Sequence, residues 1–185
     1  VDASINSFGQ GGLAERLGAA SFFFMTDMEG AGATGLTDAS RGILADFIDG
    51  GGVMLMTGTA GDTDTQFLND VFGWDTSSVS CSTAYLNAEN VAGTSLAVAS
   101  PSVTCPSATD HLNCGTADCT PIYGTRSSNA VSILSHGAGH VVYVGYDYYN
   151  TGYAERIAGG MHVDCDRNSG PYVTDILPRA ILLAQ

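Results

Sequence analysis

The chain contains no lysine. Its 185 residues carry six basic side chains, all arginine, against 19 acidic ones, for a net charge of −13. Such a surface repels phosphate backbones, which excludes nucleic acid as a natural partner. It favours solubility and is of the kind that gathers divalent cations. No apolar run approaches the roughly 18 residues of a membrane span, so none is expected. Residues 1–10 lack the basic, apolar and cleavage regions of a secretory leader, and read as a mature N-terminus or the start of an excised piece. The glycine-rich stretch at 30–35 has neither G-x-x-x-x-G-K-[ST] nor G-x-G-x-x-G, so nothing supports nucleotide binding. The four histidines, His111, His136, His140 and His162, show no H-x3-H spacing and are expected in loops and turns.

What is present is clearest at residues 36–61, LTDASRGILADFIDGGGVMLMTGTAG. Thr37 suits a helix N-cap, and Asp38 suits the positive end of the helix dipole. Ile43, Leu44, Phe47 and Ile48 then share one helical face. Gly50, Gly51 and Gly52 break the helix, since glycine takes left-handed angles at little cost. Val53 to Met56 is apolar without alternation, the signature of a strand covered on both faces. Residues 21–25, SFFFM, read as a second such strand, after a short helix carrying Leu13 and Leu17. A further helix is expected at 65–74, with Phe67, Leu68, Val71 and Phe72 inward. A hairpin is expected at 131–145. A closing helix follows Pro171, with Val173, Ile176, Leu177, Ile181 and Leu182 inward and a kink at Pro178.

With 44% hydrophobic residues the chain is long enough for one well-cored domain spanning 1–185. Residues 75–129 are poor in large apolar side chains. They read as a cysteine-rich insertion with short β-like pieces, such as 95–99. Cys81, Cys105, Cys114 and Cys119 crowd this stretch, and Cys165 stands apart. Disulfides are the favoured reading, and they would place the chain outside a reducing compartment, extracellular or at a cell surface. Zinc at Cys105, His111, Cys114 and Cys119 is an alternative with poor spacing. Free buried thiols are a third.

Strands alternating with helices, then a hairpin and a last helix, predict an α/β three-layer sandwich. Its sheet would be mostly parallel and flavodoxin-like, with an antiparallel hairpin at one edge. A regular fold of this type opens with a further strand and helix, which the sequence does not show.

The patterns LTDASRGILADFIDGGGVMLMTGT, FLNDVFGW and GHVVYVGYDYYNTG resemble the class I glutamine amidotransferase-like superfamily. The likeness is to its non-catalytic, trehalose-utilisation-like branches, over residues 20–75 and 130–184. Catalytic members carry a G-x-C-x-G nucleophile turn after the central strand, with a histidine and a glutamate from a later strand end. The matching turn here is Thr57, Gly58, Thr59, Ala60 and Gly61. Thr57 replaces the first glycine and Thr59 the cysteine. The later strand end, 145–149, has no histidine, and His140 lies five residues away, ~17 Å along a strand. A threonine hydroxyl needs an adjacent base to act as a nucleophile. The resemblance therefore implies the scaffold without its chemistry.

Ligands in open α/β sheets collect beyond the carboxyl ends of the strands. Three predicted strand ends place Asp27 and Glu29, then Thr59, Asp62 and Asp64, then Tyr146, Asp147, Tyr148, Tyr149 and Asn150 there. Asp27, Asp62, Asp64 and Asp147 offer the oxygen ligands of a calcium site, and ordinary capping carboxylates offer the same pattern. The tyrosines suit glycan or protein contact, or packing against the closing helix.

The expectation is a non-catalytic extracellular structural, assembly or binding module of a surface protein or filament, partnered by other subunits or by its own copies. It would have no cofactor unless calcium. The alternatives are a hydrolase of carbohydrate or peptide-like material, with Asp27, Asp62 or Asp147 as acid or base, and a glycan- or solute-binding module.

Overall fold

The computed structural model describes residues 12–25, 36–59, 61–104, 110–147 and 172–183. Helix α1, Leu13–Gly18, leads into strand β1, Phe22–Met25, and the helix buries Leu13 and Leu17 as the sequence predicts. Helix α2, Asp38–Asp49, starts at Thr37, whose side chain and that of Ser40 satisfy each other's backbone N–H groups in a capping box. Leu44 and Ile48 face inward. The glycine break then delivers strand β2, Val53–Thr57.

Strand β2 is interior. It pairs in parallel with β1 on one edge and with β9, Gly139–Val144, on the other. Side chains alternate between two buried clusters. Met54 and Met56 of β2 and Val141 and Tyr143 of β9 join α1, α2 and helix α3, Thr63–Phe72, in one cluster. Leu55, Val142 and Val144 belong to the other. A strand buried on both faces needs no polar alternation, which is why VMLM reads as a continuous apolar run.

Beyond β9 the sheet turns antiparallel. Strand β8, Ser128–His136, pairs with β9 through a tight turn at Gly137, and with β7, Asp118–Thr125, on its other edge. Strand β6, His111–Asn113, meets β8 at Asn129, and β3, Ser77–Val79, pairs with β6. The antiparallel part is thus larger than the single edge hairpin expected from sequence. It draws β3, β6 and β7 from the cysteine-rich stretch into the main sheet. Strands β4, Ala84–Tyr85, and β5, Ser102–Val103, form a separate antiparallel pair. Helix α4, Ala88–Val91, adds Val91 to the second cluster. A disulfide joins Cys114 to Cys119 across the loop between β6 and β7, and Cys81 is disulfide-bonded as well. Cys105 and Cys165 lie outside the described residues.

Two local expectations need correction. Residues Ser95–Val98 form a 3-10 turn rather than a β-like piece, because the Thr94 hydroxyl accepts from the Leu96 N–H at 3.2 Å and bends the chain. The closing segment opens as a π turn, Tyr172–Ile176, before helix α5, Leu177–Leu183. Pro178 follows directly and has no N–H to return to the fourth residue back. Tyr172, Ile176 and Ala180 are buried, Leu177 and Ile181 pack partly buried against the same cluster as expected, and Leu182, expected inward, is 62% exposed. The segment is held by Asp175, which accepts from the Ser100 N–H and hydroxyl at 2.8 Å each and pairs with Arg179 at 2.5 Å.

Candidate functional site

The parallel strands β2 and β9 end side by side, with Thr57 opposite Val144. Gly58 continues the contact by donating its N–H to the Val144 carbonyl at 2.8 Å. A Cβ at Gly58 would stand 2.9 Å from the Tyr143 hydroxyl and 3.1 Å from Gly145 Cα. Only glycine lets the turn lie this close to β9.

Around that turn lies a closed polar cluster. Thr57, Thr59, Asp64, Tyr143 and Asp147 are all buried. Asp64, in the first turn of α3, accepts from the Tyr143 hydroxyl at 2.6 Å and from the Thr65 N–H at 2.7 Å, and also from the Thr59 N–H. Burial pushes the Asp64 carboxyl up from 3.8, against the pull of these donors. Burial, and then the Asp64 charge, hold the Tyr143 phenol well above its ordinary value. The proton therefore stays on the tyrosine, and the hydrogen bond runs from phenol to carboxylate. Among the described residues, the Thr57 and Thr59 hydroxyls are buried without a protein hydrogen-bond partner.

The predicted site residues separate accordingly. Asp64 and Asp147 are inside the protein, whereas Asp62, the N-cap residue of α3, is exposed. Gly61 takes a left-handed angle, φ 99°, and its carbonyl accepts from the Ser78 hydroxyl at 3.2 Å. Tyr146 is buried and stacked on Tyr172, ring centroids 5.3 Å apart, so it packs the closing segment. Asp27, Glu29, Tyr148, Tyr149 and Asn150 lie outside the described residues. Among the described residues, no three His, Cys, Asp or Glu side chains gather as a metal-holding group.

The three described histidines, His111, His136 and His140, are in strands, contrary to expectation, because the antiparallel half reaches further than its composition suggests, and His162 lies outside the described residues. His140 pairs with Val53 at the far end of β2 from Thr57. His136 ends β8 and packs against Phe72 and Trp74, at 5.0 and 6.0 Å between centroids. His111 is buried in β6, with Nδ1 2.9 Å from the Ser128 hydroxyl. None of these three pairs with Thr59. Asp110 escaped the sequence reading. Burial raises its carboxyl, the neighbouring Asp62 charge adds to that, and the Gly61 N–H opposes it. Its signal was the Asp-His step at the start of β6, readable only once β6 is known to begin beside the β2 turn.

Fold and site together define a mixed α/β protein with a parallel core, an antiparallel extension and a sealed polar cluster at its central strand end. No protein-family model matches the chain, and no curated protein does. Among solved structures, the mmIFT52 N-terminal domain is similar over 81% of this chain and 83% of that one, at 11% identity and a TM-score of 0.49. A cold-adapted β-galactosidase from Rahnella sp. R3 is similar over 68% of this chain at 18% identity and a TM-score of 0.37, and the chain spans only 20% of it. Likenesses this remote say nothing of what the chain does.

Proposed function

We propose that the chain is a non-catalytic module of the amidotransferase-like kind, a three-layer flavodoxin-like sandwich kept for assembly or binding. Its partners are other protein subunits or copies of itself, in an extracellular or surface setting. The observation that carries the reading is the sealed strand end. The residue in the nucleophile position, Thr59, is buried, and among the described residues no base stands against its hydroxyl. Asp64 is committed to the Tyr143 hydroxyl, to backbone N–H groups and to the interior, so it is ill-placed to serve as acid or base toward a substrate. The Cys114–Cys119 disulfide suits an oxidising setting, and the lysine-free acidic surface suits solubility there.

The hydrolase reading has the Asp62–Asp110 carboxylate pair in its favour, at the same strand end but outside the sealed cluster. One assay separates the two. The purified, disulfide-intact chain is incubated with chromogenic esters, amides and glycosides beside Thr59→Ala and Asp110→Asn. The module reading expects no turnover above buffer from any of the three. Turnover lost in either variant contradicts it.

A further inference from the structure

A concavity lies between β4, the start of α4, β6 and the β7–β8 turn. Its volume is about 410 Å3, within the roughly 300–1,000 Å3 of small-ligand sites. Among the described residues no charged side chain lines it, in a chain whose net charge is −13. The walls carry the hydroxyls of Thr83, Thr125 and Ser128, the amide of Asn87 and the imidazole of His111. Tyr85 borders it and is 69% exposed, an uncommon exposure for so large an aromatic side chain.

These groups are held in place. Asn87 donates its amide hydrogens to the Pro121 and Gly124 carbonyls at 2.9 Å each, which fixes the side chain and leaves its oxygen as acceptor. The His111–Ser128 hydrogen bond fixes the imidazole at the floor, where burial lowers its pKa and keeps it neutral. Gly124, at φ 103°, brings the turn so close to the Ser128 backbone that a Cβ would collide with it. Thr125 and Ser128 are thereby pinned at one wall. The Cys81 disulfide tethers the chain just ahead of β4.

A wall without a charged side chain offers an anion no ion pair and a metal ion no carboxylate, and the one imidazole is already engaged with Ser128. Fixed hydroxyl, amide and imidazole groups suit a ligand dense in hydroxyls, and an exposed phenol ring suits the apolar C–H face of a sugar ring. We propose that this groove binds an uncharged carbohydrate, with Tyr85 as the stacking platform and Asn87, Thr125 and Ser128 as hydrogen-bonding partners. The inference stands independently of how the strand end is read.

The test is an amide NMR titration of the disulfide-intact chain with cellobiose, maltose and lactose. Glucuronic acid and glucosamine serve as charged comparators. At least one neutral disaccharide should shift amides at 82–87 and 124–128 saturably, and more tightly than either charged sugar. Tyr85→Ala should weaken that binding about tenfold, equivalent to ~1.4 kcal/mol, while Tyr85→Phe retains it. Tyr85 is exposed, so both variants should fold as the parent does. The proposal is overturned by the absence of saturable binding, by shifts confined elsewhere, by charged sugars binding equally well, or by indifference to Tyr85→Ala.

Discussion

Gly139→Ala is expected to destabilise the chain by about 3 kcal/mol or more, the upper end for overpacking a close contact. A Cβ at Gly139 would run into the carbonyl oxygens of Gly52 and Ile48. These are backbone atoms of the α2–β2 link and cannot move aside as a flexible side chain would. The same link accepts the Ala138 N–H at Asp49 and the His140 N–H at Gly52, at 3.0 and 3.3 Å. The first residue of β9 is therefore clamped against the glycine break, and any added carbon must displace the strand that forms one edge of β2. Such a loss is a large part of the roughly 5–15 kcal/mol that holds a domain folded. Urea unfolding reads it as a lowered midpoint at unchanged slope. Gly18→Ala is the control, since nothing lies within 4 Å of that added carbon. It should leave the midpoint almost unmoved. Equal effects from the two substitutions would contradict the clamped geometry.

Tyr143→Phe should cost about 2 kcal/mol at neutral pH, in the range for a hydrogen bond to a charged group. The variant removes the 2.6 Å donor from a carboxylate that has no access to water. The penalty should also depend on pH. Because the native Asp64 pKa lies above 3.8, its protonated form is favoured by folding. The stability this contributes is fully present below 3.8 and is lost as pH rises through the native value. Without the tyrosine donor the native pKa climbs further, so the gap between parent and variant should widen as pH rises from acid to neutral. Urea midpoints for the parent, Tyr143→Phe and Asp64→Asn across that range provide the check. Asp64→Asn should abolish the pH-dependent component, and a pH-independent gap for Tyr143→Phe would refute the assignment.

The sequence revealed elements whose signals are local. The Thr37 cap, the α2 face, the glycine break and the two-sided strand β2 each lie within a dozen residues, and each forms as read. The β8–β9 hairpin was readable, but the rest of the antiparallel half was hidden because much of its burial rests on small or polar residues. Ala84, Cys114, Ala117, Cys119, Asn129, Ala130 and Ser132 are all buried and give no apolar period. Its pairings are also long-range, as when β3 meets β6 more than thirty residues on. The site was half legible for the same reason. Asp62 and Asp64 look alike in sequence, yet α3 begins between them and turns one outward and the other into the core. What Asp64 meets there is a tyrosine 79 positions away. The turn at Thr57–Gly58–Thr59 was readable by its place after the central strand. Its closure by Tyr143 was not.

The sealed strand end is tested most directly by placing a thiol there. Thr59→Cys restores the atom type that a nucleophile turn would carry, and its labelling by iodoacetamide is followed above the background of the unaltered chain. A buried thiol without a base should stay unlabelled in the folded protein. In denaturant it should react as an ordinary thiol, with a pKa near about 8.5. Rapid labelling of the folded chain below neutral pH would mean an exposed thiolate with a base beside it, and would contradict the account.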